Sequence, residues 1–218
     1  MTDQIIPHYA GDLAILIDRR AMAGKGRGIL FMPAQNIETT DVVTMVNGGR
    51  GVCTITLNEG AAMRLGLYPQ GEGPRAGEVP YFVNSVESVA CEETGISAKE
   101  RAITLRTVAS PEAVAKDIVT PGHIMVQVAR NILREGAGLS ELANAFLSAR
   151  GIARFAAWID ILDDTGEIGD SDWCVELGAR LGLACFDAGE VRCFAGEKLA
   201  AWDEVVRFSN RHFDVTEG

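Results

Sequence analysis

Missing from this 218-residue chain is any run of lysine and arginine, and its formal net charge is −10. Polyanion binding draws its affinity from phosphate neutralisation, so neither nucleic acid nor an anionic membrane is an expected partner. No apolar run approaches the roughly 18 residues that a membrane helix needs. The first eight residues carry no positive segment leading into an apolar stretch, and a soluble, unexported, cytoplasmic protein is expected. No Cys-x-x-Cys pair occurs among Cys53, Cys91, Cys174, Cys185 and Cys193. This odd, scattered set fits neither a disulfide framework nor a zinc site. Gly24-Lys25-Gly26 lacks the spacing of a phosphate-cradling Walker loop, and Asp163-Asp164-Thr165-Gly166 lacks the regular oxygen ligands and closing glutamate of an EF-hand. Repeats, low-complexity tracts and linkers are also missing, and 47% of the residues are apolar, so one globular domain over 1–218 is expected.

What is present alternates between strand and helix patterns. Residues 13–17 and 28–33 are compact apolar runs of buried-strand type, joined by a basic stretch, 19–27, that reads as a flexible connection. Thr40-Asp41 reads as the cap of a short helix ended by Gly48-Gly49. Residues 52–57 and 82–86 alternate like strands, and the Gly- and Pro-rich residues 68–80 read as an exposed loop. Ser97 and Glu100 have capping-box spacing, starting a helix through Arg106. Residues 117–122 read as a turn before a strand at 124–128. Residues 139–150 carry a helical apolar stripe closed by Gly151. Strands at 156–162 and 183–186 and helices at 171–181 and 198–207 complete the pattern. The expected fold is α/β or α+β: a three-layer α-β-α sandwich around a mixed sheet covered on both faces.

Three residues attract a chemical reading. His123 follows Thr120-Pro121-Gly122, and an imidazole is the side chain suited to general acid or base work at physiological pH, with a surface loop histidine as the alternative. Asp160 interrupts an apolar strand, where a carboxylate needs a partner or a raised pKa; otherwise it bonds backbone amides of the following turn. Cys53 is a nucleophile if a base such as His123 reaches it, or a small buried apolar residue. Arg101, Arg106, Arg130 and Arg134 offer guanidinium groups for an anion, or line solvated helix faces.

Residues 94–106, Thr-Gly-Ile-Ser-Ala-Lys-Glu-Arg-Ala-Ile-Thr-Leu-Arg, followed by Thr120-Pro121-Gly122-His123, resemble the central signature of the 3,4-dihydroxy-2-butanone 4-phosphate synthase family. These riboflavin-pathway enzymes convert ribulose 5-phosphate to a four-carbon phosphate plus formate, with magnesium. Residues 31–35 resemble the family's Phe-Pro-Ala-Glu, residues 51–53 its Gly-Ile-Val-Cys strand, and residues 157–166 its strand and Asn-Asp-Asp-Gly turn. The resemblance implies the family fold, a homodimer, a catalytic His123, and a substrate-bordering Cys53. It also implies that Asp160 stands for a catalytic glutamate, one methylene shorter.

The chain departs from the family in two places. Where the family has an acidic, magnesium-binding run, this sequence reads Asp18-Arg-Arg-Ala-Met-Ala-Gly-Lys-Gly-Arg27, retaining only Asp18. Where the family has Gly-His-Thr-Glu, it reads Gly138-Leu139-Ser140-Glu141, with Leu139 in place of the metal-binding histidine and Ser140 keeping only the hydroxyl. The resulting expectation is a diverged enzyme without a metal or other cofactor, performing lyase, isomerase or hydrolase chemistry on a small polar metabolite. In it His123, Asp160 and Cys53 are catalytic, Asp160 orients His123, and Asp18, Lys25, Thr94, Arg134 and Ser140 bind substrate. Lys25 or the adjacent arginines supply charge in place of the cation. The alternatives are a true synthase, with magnesium or manganese, and a catalytically inactive small-molecule-binding or regulatory homologue.

Overall fold

The computed structural model describes residues 9–69, 80–129 and 137–198. Arg134, the 70–79 portion of the expected loop, and nearly all of the expected 198–207 helix lie outside them. Seven strands form one mixed sheet: β1 (Ala14–Asp18), β2 (Arg27–Pro33), β3 (Thr54–Asn58), β4 (Tyr81–Ser88), β5 (Ile118–Ala129), β6 (Ala156–Asp160) and β7 (Ala184–Asp187). Their order across the sheet is β4-β5-β3-β6-β2-β1-β7. The β3/β5 and β1/β7 pairs are parallel and the other pairs antiparallel. Helices α1 (Thr39–Gly49), α2 (Glu59–Arg64), α3 (Ala98–Ala109) and α5 (Ser171–Leu181) cover one face. Helix α4 (Leu139–Ala149) and the helical residues 188–198 cover the other. This is the expected three-layer, mixed-sheet architecture.

Double coverage explains why β1 and β2 are near-continuous apolar runs, since residues on both faces of these central strands enter a core. Ile15, Leu30, Ile55 and Val126 face α1, α3 and α5, while Leu16, Phe31 and Trp158 face α4. Edge strand β4 buries Val83 and Val86 and leaves Phe82 exposed. On the α4 face, Phe31, Phe146 and Phe186 meet with ring centroids 5.0–6.5 Å apart. Each such pair adds about 0.5–1.5 kcal/mol beyond area burial. These contacts fix α4 against β2 and so set the position of its first turn.

Three local expectations change. Residues 19–27 are not a loose connection: β1 and β2 pair up to Asp18↔Arg27, and the carbonyl of Ala21 accepts from the amides of Gly24 and Gly26. Met22 and Ala23 adopt φ of 51° and 57° in this turn, a conformation non-glycine residues rarely take. Helix α1 begins at Thr39, where Asp41 accepts from the amide of Glu38 at 2.8 Å instead of serving as the cap itself. Finally, Pro121 and Gly122 lie within β5 and not in a turn before it. A Cβ on Gly122 would come within 2.1 Å of the Val86 backbone, so the turn-forming residue is there because strand β4 passes too close for any side chain.

Candidate active site

Cross-strand register brings Asp18, Arg27 and Asp160 together at one end of the sheet. Arg27 lies opposite Asp18 on β1, and its strand neighbour Ile29 lies opposite Asp160 on β6. The period of two then places all three on the α4 face, with Leu16, Ile29 and Trp158. Arg27 Nη2 donates to Asp160 Oδ1 in a half-buried ion pair. Arg27 Nε is buried and bonds nothing among the described residues. Asp160 therefore finds its partner across 133 residues of chain, not in the amides of the next turn. A Cβ on Gly51 would meet the Asp160 carbonyl oxygen at 2.8 Å, so close backbone approach supports this strand end.

Beside the pair is a cleft of about 410 Å³ lined by Asp18, Arg27, Gln127, Ser140, Trp158 and Arg192, among others. Its floor is a buried polar network. Trp158 Nε1 donates to Thr56 Oγ1 at 2.9 Å, and Thr56 Oγ1 and Ser140 Oγ donate to Gln127 Oε1 at 3.2 and 2.5 Å. Asp18 holds the turn by accepting from the amide of Arg20 at 2.9 Å, and Arg192 donates to the carbonyl of Ala137 at 2.8 Å. Ser140 is in place because Glu141 accepts from the amide of Gly138 at 2.8 Å, starting α4 at the cleft wall. The site combines guanidinium groups for an anion with hydroxyl, amide and carboxylate groups for sugar hydroxyls.

His123 is exposed, and its Nδ1 pairs with Glu87 Oε1. It was expected to be oriented by Asp160, which pairs with Arg27 instead. Strands β5 and β6 flank β3, two strand spacings or about 10 Å apart, a gap that a substrate of several carbons can span. Cys53 is buried, with Arg101 Nη1 3.8 Å from its sulfur. Burial pushes its thiol pKa up, against a smaller lowering by Arg101. Among the described residues no base touches Cys53, and its surroundings are those of a small core residue. The three expected catalytic residues thus form three separate pairs.

Lys25 stands apart from Asp18. The positive-φ turn directs it to a cavity of about 380 Å³ shared with Asp163, Glu167 and Asp170, so Arg27 and Arg192 are the cations that line the main cleft. Thr94 is exposed in the loop before α3. That loop is fastened by Glu100, whose carboxylate accepts from the amides of Glu93 and Gly95 at 2.7 and 2.9 Å and from Ser97 Oγ at 3.3 Å. The Glu93 amide, followed by those of Gly95 and the Ser97 hydroxyl, holds this carboxyl below the usual range. Sequence reasoning missed Thr56, Gln127, Trp158 and Arg192, and had Arg27 only as one of the arginines near Lys25. The polar Gln127 between Val126 and Val128, and Thr56 between Ile55 and Leu57, were the available signals.

The carboxylates Asp18 and Asp160 are hard oxygen donors of the kind magnesium prefers. Asp160 is engaged by Arg27, however, and the first residue of α4 is Leu139. Among the described residues no three His, Cys, Asp or Glu side chains gather as a metal shell, so these residues alone do not fit the cation.

The sequence model described as 3,4-dihydroxy-2-butanone 4-phosphate synthase matches residues 4–192. The Pseudomonas aeruginosa protein of that name is 32% identical over 161 residues, covering 72% of this chain and 43% of the relative. The chain thus spans less than half the length of that relative. A two-domain 3,4-dihydroxy-2-butanone 4-phosphate synthase from A. baumannii superposes with a TM-score of 0.73 at 25% identity, over 82% of this chain and 52% of that one. A 3,4-dihydroxy-2-butanone 4-phosphate synthase in complex with two magnesium ions superposes with a TM-score of 0.68 at 21% identity, over 90% and 93%. These similarities correct two expectations. Relatives named for the synthase reaction count against the expected diverged enzyme of another metabolite, and a synthase with two magnesium ions on the same fold counts against the expectation that no cofactor is used. The chain belongs to the 3,4-dihydroxy-2-butanone 4-phosphate synthase family.

Proposed function

We propose that the chain performs the synthase reaction, converting ribulose 5-phosphate to 3,4-dihydroxy-2-butanone 4-phosphate and formate in riboflavin biosynthesis. The observation that carries this reading is the cleft at the Asp18, Arg27 and Asp160 strand ends. It combines cations for a phosphate with hydrogen-bonding groups for a polyol, and it lies within the family match. The reaction is an isomerisation followed by fragmentation. The atoms of the ketose phosphate equal those of the two products, so no oxidant or reductant is needed.

Arg27 and Arg192 anchor the anionic end of the substrate, and Ser140 and Gln127 orient its hydroxyls. Asp18, unpaired with any cation among the described residues, takes a proton from a carbon next to the carbonyl. Asp160 keeps Arg27 in its cleft-facing position. His123, with Glu87 on its Nδ1, moves protons from the margin of the site through its other ring nitrogen. One domain over the chain, a homodimer and a cytoplasmic setting belong to the same reading, supported by the family resemblance.

The test is formate release from ribulose 5-phosphate, followed through a formate dehydrogenase couple, with magnesium, with manganese and with chelator. Cation-dependent formate that falls at least about 100-fold in Asp18→Asn supports the reading. Saturable binding of ribulose 5-phosphate without formate under every condition refutes it and leaves a ligand-holding protein.

A further inference from the structure

A second cavity, larger than the cleft, lies elsewhere in the fold. It has a volume of about 850 Å³ and lies where β2 ends at Pro33, β3 ends at Asn58 and β6 begins at Ala156. The Asp18, Arg27 and Asp160 cleft is at the other end of the same strands, separated by the length of β2, about 20 Å. The geometry points to this cavity as a second binding site, for a small organic phosphate with an apolar body. The inference goes beyond the proposed reaction and does not depend on it.

The chain carries ten more acidic than basic residues by formal charge, yet both charged groups lining this cavity are arginines, Arg64 and Arg154, and no carboxylate lines it. Arg64 is pre-positioned: its Nε donates to the carbonyl of Ala113 at 2.9 Å and its Nη2 to that of Ser110 at 3.2 Å. Nη1 is left for a ligand. Asn58 Oδ1 is occupied by the amide of Ala61 at 2.8 Å, which leaves its Nδ2 donor. Gln35 and Ser148 spend donors on the carbonyls of Ile152 and Ala153, closing the wall formed by residues 151–153. Arg154 is exposed and has no hydrogen bond or ion pair among the described residues. The spare capacity is therefore mostly donor and cationic, complementary to a phosphate dianion. Buried Phe155 contributes an apolar lining for the remainder of such a ligand.

Phenyl phosphate serves as the probe, carrying a dianion and a flat apolar ring. Calorimetric titration of the full chain is expected to give saturable binding that weakens about tenfold in Arg154→Ala, and further in Arg64→Ala/Arg154→Ala. Arg154 is exposed and makes no hydrogen bond or ion pair among the described residues, so the single variant keeps the test valid if loss of the Arg64 bonds unfolds the protein. Ser140→Ala, which alters only the cleft, is expected to bind as the parent does. No saturable heat, unchanged affinity in Arg154→Ala, or loss of binding in Ser140→Ala each overturns the proposal. Because binding and not formate is read, failure here is separable from failure of the synthase reading.

Discussion

Removing the Asp160 charge gives a stability change that can be worked out from the ion pair itself. The Arg27 and Asp160 side chains are 37% and 30% exposed, between the surface pairs worth about 0–1 kcal/mol and the buried pairs whose truncation costs about 3–5 kcal/mol. Arg27 Nε already lacks a partner, so deleting the carboxylate leaves a guanidinium with little protein compensation. Solvent reaches both groups and discounts the cost to about 1–2 kcal/mol for Asp160→Asn, which keeps the acceptor oxygen but loses the charge. Arg27→Met retains the stem's packing and removes the cation. The coupling energy in the cycle of Arg27→Met, Asp160→Asn and the double variant is expected at about 1 kcal/mol. Urea unfolding midpoints at constant m measure it, and each kcal/mol corresponds to about 2–4 °C in Tm for a chain of this size. The coupling should shrink as salt is raised, because the exposed portion is screened. A coupling below about 0.3 kcal/mol, or one indifferent to salt, would refute the electrostatic account of this strand end.

Thr56→Val removes the acceptor of Trp158 Nε1 while preserving shape. It should cost about 1–3 kcal/mol in chemical denaturation, since the indole donor is left buried; a neutral result would mean that water replaces the hydroxyl. Glu100 has a lowered folded pKa, so its stabilising contribution is present above the unfolded glutamate value of about 4.3 and is lost as pH falls through the lower folded value. Glu100→Gln should accordingly flatten the acid limb of a stability-versus-pH curve, and an unchanged limb would contradict the assignment. Ala23→Gly should stabilise by about 0.5 kcal/mol: relief of a left-handed φ worth about 1–2 kcal/mol exceeds the added unfolded-state entropy of about 0.4–1 kcal/mol. Thermal melting would show the gain, and a loss would mean that the Ala23 methyl makes a compensating contact.

The layered sheet was legible because its strands carry their burial in composition: β1 and β2 are apolar on both faces, and α4 has a helical stripe. Local pattern misread 117–122, where Pro121 and Gly122 signal a turn; the close passage of β4, a tertiary constraint, keeps them in a strand. The site was legible as residue types but not as partnerships. His123 and Asp160 stood out, but Glu87 is 36 residues from His123 and Arg27 is 133 from Asp160; only sheet register brings each pair together. Lys25 was misplaced for a related reason. The left-handed residues that redirect the chain are Met22 and Ala23, and neither residue type signals that conformation.

The fastening of residues 93–97 by the Glu100 carboxylate bears on what sequence similarity measures in this family. That carboxylate needs two amides, one hydroxyl and a glycine at φ 76°, and none of those requirements refers to a substrate. The stretch thus specifies its own loop shape, independently of the residues around the cleft. The clasp therefore constrains residues 93–97 for the sake of the loop, whereas the chemistry of the cleft is carried by the turn between β1 and β2 and the first turn of α4.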